Sequence, residues 1–153
     1  MQELIDVTNE LRQGLEFKPK VALFETTEED FEAIEVISLG ASDRKKVKSK
    51  AEKSAEETRQ GLSGEFADQA AEVEYRRCLI YWSVVYGLAI DEKPAYQYVN
   101  RENGIRLDIN YMTNYVEYRL GLEDKAFEEL GLEIIRLSKL DGLLEKKEQG
   151  FEL

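Results

Sequence analysis

The fold of this chain is decided by residues 78–90, which read CLIYWSVVYGLAI. Only Ser83 and Gly87 in this stretch are not apolar, and a helical pattern leads into it. A helix that is apolar on all sides lies in a protein core or in a membrane. Because the stretch rises only about 20 Å and charged residues flank it on both sides, it is too short to span a bilayer. The sequence therefore predicts a central helix over about residues 65–88, with Trp82 largely buried.

The composition describes one globular domain. The 153 residues include 42% hydrophobic and 35% charged side chains, and the net charge is −11. This acidic balance argues against direct binding to a nucleic-acid backbone. The one cysteine, Cys78, cannot form an internal disulfide, and no signal peptide or membrane-spanning segment is recognisable. We expect a single domain over residues 1–153, located in the cytoplasm, with no membrane contact.

The N-terminal part, residues 1–41, predicts a helix followed by a short extended or helical segment. Leucines and a valine recur at helical spacing over residues 2–15. Residues 21–24 fit an edge strand or an extended connector. Residues 26–40 begin like a capped helix, but alternation in the second half leaves a strand open there.

Residues 42–61 predict a polar, lysine-rich helix. Its apolar stripe is thin, consisting of Val47, Ala51 and Ala55, so we expect this helix to be mostly exposed and weakly protected. Six basic residues and one acidic residue over residues 44–53 give a net charge of +5, which leaves −16 on the rest of the chain. The candidate basic patch consists of Arg44, Lys45, Lys46, Lys48, Lys50 and Lys53. No aromatic residue interleaves with it in the sequence, so stacking of single-stranded bases is not expected.

Residues 62–140 predict the helical core. After Pro94, residues 95–109 read either as a β-hairpin or as a short helix that Gly104 closes, and the alternation in the second arm favours the hairpin. Two further helices are predicted, from about residue 110 to 120 and from about 124 to 140, with residues 141–153 as a tail. The predicted fold class is mainly α, a helical bundle around a buried central helix.

The sequence contains no recognisable catalytic arrangement. Because the chain has no histidine, Ser-His-Asp and Cys-His catalysis and most zinc sites are excluded. Cys78 lies in an apolar run and makes a poor nucleophile. Glycine-rich phosphate-binding motifs and calcium-loop spacings are missing as well. We therefore predict no enzyme activity, no cofactor and no metal.

Tyrosines provide the best candidate for a protein-binding face. Tyr111, Tyr115 and Tyr118 recur at i, i+4 and i+7 on one predicted helix, and Tyr96 and Tyr98 precede them. Tyrosine is enriched at the centres of protein interfaces. It is also common at the rim of a core, where its ring packs and its hydroxyl reaches water.

The general layout of residues 21–140 resembles the tail assembly chaperones of long-tailed bacteriophages. The shared features are an early extended segment, a polar middle and an apolar helix such as residues 70–88. The resemblance implies a viral protein in the host cytoplasm that guards a tail-tube or tail-length protein during assembly. It rests on layout and transfers no functional residue.

We expect a non-enzymatic protein–protein interaction or assembly module. Its partner is either another protein or a second copy of this chain in a homo-oligomer. Two alternatives stay open. One is an acidic inhibitor of the phage or plasmid type that binds a host nuclease or polymerase. The other is a nucleic-acid-associated protein that uses the basic helix at residues 44–53, although the net charge disfavours nucleic acid.

Overall fold

The computed structural model describes residues 20–24 and 33–144. The predicted helix at residues 2–15, the predicted helix start near residue 26 and the end of the tail lie outside the described residues. The helices are α1 (Ala41–Gln60), α2 (Glu65–Gly87), α3 (Ile109–Tyr118) and α4 (Asp124–Leu137). The strands are β1 (Val21–Phe24), β2 (Ile34–Ile37), β3 (Ala89–Ile90), β4 (Lys93–Pro94), β5 (Val99–Asn100) and β6 (Ile105–Arg106). The mainly helical fold with a small hairpin is confirmed.

Helix α2 is the centre of the fold, as the apolar stretch predicts. It contacts α1, α3 and α4. Leu79, Val84 and Val85 in its second half are completely buried. Because this half is apolar on every side, burying it takes neighbours in several directions, and the three other helices supply them. None of the described helices has an apolar stretch long enough to cross a membrane.

Helix α1 packs along α2 in the most extensive contact between helices in the described part of the chain. Most of its residues are exposed, as expected. However, Val47 and Ala51 in its thin stripe are completely buried, as is Ala71 on α2. Small side chains on both helices let the two backbones approach closely, so a narrow stripe is sufficient for a tight contact. The expected weak packing of this helix is therefore not what the structure shows.

Two glycines let α2 and α4 interlock. A Cβ atom added at Gly131 of α4 would lie 2.5 Å from Cγ2 and 3.1 Å from the carbonyl oxygen of Ile80. A Cβ atom added at Gly87 of α2 would lie 2.5 Å from Cγ2 of Ile134. Each isoleucine thus occupies the space that a glycine on the opposite helix leaves open. This reciprocal fit fixes the register between the two helices.

The strands close the end of the helical core where α2 terminates. β1 and β2 pair antiparallel in a register that runs from Val21 opposite Ile37 to Phe24 opposite Ile34. The strand alternative for the second half of residues 26–40 is therefore the correct one. Val36 forms an isolated bridge with Leu88, just beyond the end of α2. This bridge joins the strand pair to the central helix.

Residues 95–109 contain the predicted hairpin, but its paired arms are shorter than expected. β5 and β6 pair over two residues each. Ala95–Gln97 is a 3-10 turn rather than a strand, because Pro94 already pairs with Ala89 in the preceding β3–β4 ladder. Gly104 has a φ of +71°, a backbone conformation that glycine adopts without the steric cost of a Cβ atom.

Gly131→Ala tests the interlock of α2 and α4. Alanine favours an isolated helix by about 1 kcal/mol, but the new methyl group would meet backbone atoms of Ile80 that cannot rotate away. We expect a net loss of about 1–3 kcal/mol in the free energy of unfolding, measured by urea denaturation. Gly142→Ala is the control, because a Cβ atom there would meet nothing within 4 Å. Equal stability of the two variants would contradict the interlock.

Amide hydrogen exchange tests the packing of α1. Since Val47 and Ala51 are completely buried against α2, their amides should exchange as slowly as those of Leu79 and Val85. The weakly protected helix expected from the sequence would instead exchange orders of magnitude faster than α2 along its whole length. Fast exchange at Val47 and Ala51 would show that the α1–α2 contact opens readily.

Candidate functional site

An open cleft of about 320 Å³ lies where the strands, the end of α2 and helix α3 meet. Its lining comes from several separate segments of the chain and is apolar apart from one carboxylate and two phenol hydroxyls. The lining residues are Ile34, Glu35, Leu88, Ala89, Ile90, Ala95, Leu107, Tyr111, Met112, Tyr115 and Leu120. The bridge between β2 and the residue after α2 holds one wall of the cleft in place.

Helix α3 turns two of the candidate tyrosines into this cleft. Asp108 starts the helix by accepting a 2.8 Å hydrogen bond from the backbone N–H of Tyr111. Met112 is buried beneath, and the rings of Tyr111 and Tyr115 lie nearly parallel with their centroids 6.5 Å apart. Tyr111 is 40% exposed, whereas Tyr115 is partly buried against the core. The two rings therefore form an accessible rim on one side of the cleft.

The other three candidate tyrosines do not join this rim, so the five do not form one face. The hydroxyl of Tyr96 donates to both carboxylate oxygens of Asp43, at 2.8 and 2.7 Å. Burial, together with this hydrogen bond, raises the pKa of Tyr96. Tyr98 is partly buried, Tyr118 is 79% exposed, and neither lines the cleft. Helical spacing placed Tyr111, Tyr115 and Tyr118 on one side of α3. It could not show that the cleft reaches only the first two of them.

Asp43 has a structural role that the sequence pattern did not indicate. The lysine-rich helix predicted from residue 42 begins one residue earlier, at Ala41 after Gly40, so Asp43 lies inside the first turn of α1. Asp43 is buried, and its carboxylate is satisfied by the Tyr96 hydroxyl from the distant 3-10 turn. This contact attaches the segment before the hairpin to α1.

The six residues of the basic patch divide between two sides of α1. Helical spacing places Lys46, Lys50 and Lys53 on one side, which we call the basic flank. Arg44, Lys45 and Lys48 lie further around the helix, and Lys48 pairs with Glu52 at 3.8 Å. The other five basic residues make no ion pair with any carboxylate of residues 20–24 or 33–144.

Trp82 stands beside the basic flank rather than deep in the core. The ammonium nitrogen of Lys50 lies 4.2 Å above the indole ring, a cation–π contact. Tyr81 packs against Trp82 in a T-shaped arrangement with ring centroids 5.0 Å apart. Trp82 packs against the core, as expected from the sequence, but it is not completely buried, and part of its side chain stays exposed. An aromatic ring therefore does meet the lysines, although it comes from another helix.

A polar cluster next to the basic flank joins α1 to α2. Both carboxylate oxygens of Glu74 accept hydrogen bonds from Arg77, at 2.7 and 3.0 Å, and Oε1 also accepts one from Ser54 at 2.7 Å. The Arg77 guanidinium, more than any other group, lowers the pKa of Glu74 to about 2. Burial raises the pKa of the Cys78 thiol, whose Sγ donates to Glu74 over 3.3 Å. A reactive cysteine needs the opposite environment, one that favours its thiolate.

The described residues hold no group of three or more histidine, cysteine or acidic side chains placed to bind a metal ion. They do contain a second groove, of about 310 Å³, where the beginning of α4 meets α2. Val73 and Phe127 line this groove, and Val73 and Phe66 are strongly exposed. The sequence alone did not identify Phe66 and Val73 as exposed residues. They are apolar and recur along α2 at a helical spacing that core residues also show.

The pKa of Glu74 predicts a specific acid sensitivity. A carboxylate whose pKa is lower in the folded state stabilises the fold above its ordinary pKa near 4.5, and this contribution is lost as the pH falls towards 2. We expect the free energy of unfolding to fall over this range and Glu74→Gln to flatten that part of the profile. Glu128→Gln is the control, because its half-exposed pair with Arg76 should contribute little. An unchanged profile in Glu74→Gln would contradict this role.

Comparison with known proteins does not assign a family. No protein-family model, no curated protein and no solved structure matches the chain.

Proposed function

We propose that this protein is a non-enzymatic protein–protein interaction module that holds an apolar segment of a partner protein in the cleft beside Tyr111 and Tyr115. The observation that carries the proposal is the cleft itself: an open, largely apolar surface with an accessible tyrosine rim. Tyrosine anchors of this kind contribute strongly to binding when a partner covers them.

The polar groups of the cleft favour a peptide segment over a small substrate. Pockets for small molecules combine apolar walls with several polar groups that converge on the ligand. Among the described lining residues, Glu35 supplies one carboxylate, whose Oε2 already accepts a 2.8 Å hydrogen bond from the backbone N–H of Glu92. Its Oε1 and the two phenol hydroxyls are the few polar side-chain atoms that this lining leaves for a ligand. Apolar contact along an open groove therefore fits the lining better than recognition of a polar metabolite.

A more specific version of this proposal is that the protein acts as a tail assembly chaperone. Such a protein must cover apolar segments of another protein before assembly, and the cleft and the groove at Val73 both offer apolar surface for this. The partner would then be a tail protein in the host cytoplasm. We prefer this form to the acidic-inhibitor alternative, because the lysines of α1 interrupt the row of carboxylates that imitation of DNA requires.

Tyr111→Ala tests the cleft with little risk to the fold, because Tyr111 is 40% exposed. A tagged form of the chain would capture the partner from the native cell, and calorimetry with the purified partner would give the affinities. We expect Tyr111→Ala to weaken binding by about 2 kcal/mol, roughly 30-fold in Kd, at an unchanged melting temperature. Tyr115→Ala should lower both binding and stability, since this ring also packs against the core.

Tyr118→Ala is the matched control, because it removes a tyrosine from the same helix away from the cleft. It should leave both the affinity and the melting temperature unchanged. The proposal is wrong if Tyr118→Ala weakens binding as much as Tyr111→Ala, or if neither variant does. If the captured protein is a second copy of this chain, the same two variants show whether the cleft forms the contact between copies.

A further inference from the structure

We propose that the basic flank (Lys46, Lys50 and Lys53) and the adjoining Trp82 form a second interaction surface, which binds an acidic segment of a partner protein that also carries an apolar side chain. This surface involves other elements than the cleft and does not depend on the cleft being occupied. It lies along the contact of α1 with α2, whereas the cleft lies at the end of α2.

Three lysines form a row of which the described fold uses only Lys50, through its contact with Trp82. Their i, i+4 and i+7 spacing places them on one side of α1 over about 10 Å of helix. Lys46 and Lys53 are exposed, and neither pairs with a carboxylate of the described residues. Neighbouring like charges on a helix destabilise it slightly. An acidic segment laid along the row would remove this repulsion and pair both ammonium groups.

Trp82 gives the surface an apolar component. Its ring is partly exposed, with Lys50 over it and Tyr81 against it. Lys50 already holds a cation–π contact, so Lys46 and Lys53 are the ammonium groups free to meet carboxylates. The part of the indole that Lys50 and Tyr81 leave uncovered can then pack against an apolar side chain of the same acidic segment. The ligand is thus an acidic segment with an apolar residue inside it.

The same geometry favours a peptide over a single-stranded nucleic acid. Stacking of a base requires a free aromatic face. Lys50 covers the indole, and Tyr81 packs against it, so a base would have to displace existing contacts. A run of phosphates would also meet the net charge of −16 on the rest of the chain. A short acidic peptide carries less charge and adds the apolar contact.

Trp82 is the only tryptophan in the chain, so its fluorescence reports on this surface directly. The probe is a twelve-residue peptide of four Glu-Glu-Leu repeats, added at low ionic strength. We expect a saturable change in Trp82 emission with a Kd on the order of 10–100 μM. Raising the salt to about 0.3 M should weaken binding roughly tenfold, because the contact is largely electrostatic. A matching peptide of four Lys-Lys-Leu repeats should produce no saturable change.

Two double variants with the same change in net charge provide the decisive comparison. Lys46→Glu/Lys53→Glu reverses the two free lysines of the basic flank, whereas Lys45→Glu/Lys48→Glu changes exposed lysines further around α1. The first should weaken peptide binding at least tenfold and the second by no more than about twofold. Tyr111→Ala should leave peptide binding unchanged, which separates this surface from the cleft.

Several outcomes would overturn the proposal. Equal weakening by the two double variants would show a general charge effect, and an unchanged Trp82 emission would show no site at the ring. Tighter binding of a twelve-nucleotide oligo-dT, lost in Lys46→Glu/Lys53→Glu, would assign the surface to nucleic acid instead. Salt-sensitive self-association lost in that same variant would assign it to a second copy of this chain.

Discussion

The second half of α2 is apolar on every side, and the rest of the described fold follows from the need to keep it out of water. Three helices cover it in different ways. α1 contributes a narrow stripe of small side chains, α4 interlocks through Gly131 and Gly87, and α3 adds Met112 and Val116. The hydrophobic effect depends on the area removed from water and has no preferred direction. The close contacts at the two glycines therefore determine which register of α4 against α2 is the most stable.

The candidate binding surfaces occur where this cover ends. At the end of α2 the short strands and α3 do not close completely, and the tyrosine-rimmed cleft is left. Along α1 the narrow stripe leaves Trp82 at the margin, where Lys50 reaches it. The first turns of α2 extend past the beginning of α4, so α4 does not cover them, and Phe66 and Val73 stay exposed. Each surface is therefore a consequence of the length or width of a helix that packs on α2, and each combines exposed apolar groups with polar neighbours.

The pattern of residues close in sequence could predict helices and strands, but it could not predict the candidate binding surfaces. The bounds of α2 could be predicted, the hairpin was favoured over a helix, and the strand at Val21–Phe24 was one of two alternatives, because these elements depend mainly on residues close in sequence. The cleft could not, since its lining comes from several separate segments that only the folded chain brings together. The bond of Tyr96 to Asp43 and the contact of Lys50 with Trp82 join residues far apart in sequence for the same reason. Spacing on one helix showed which way Tyr111 and Tyr115 face, but it could not show that Tyr118 lies beyond the cleft.

The partner protein that we propose for the cleft beside Tyr111 can be sought in the native cell. Site-specific photo-cross-linking would detect it, with p-benzoylphenylalanine placed at position 111 in one variant and at position 118 in another, and both variants irradiated in the native cell. Both positions are exposed and lie on the same helix, so they differ chiefly in whether they line the cleft. We expect a discrete cross-linked partner from position 111 and none from position 118. A partner captured only from position 118, or the same partner in equal yield from both positions, would contradict this proposal.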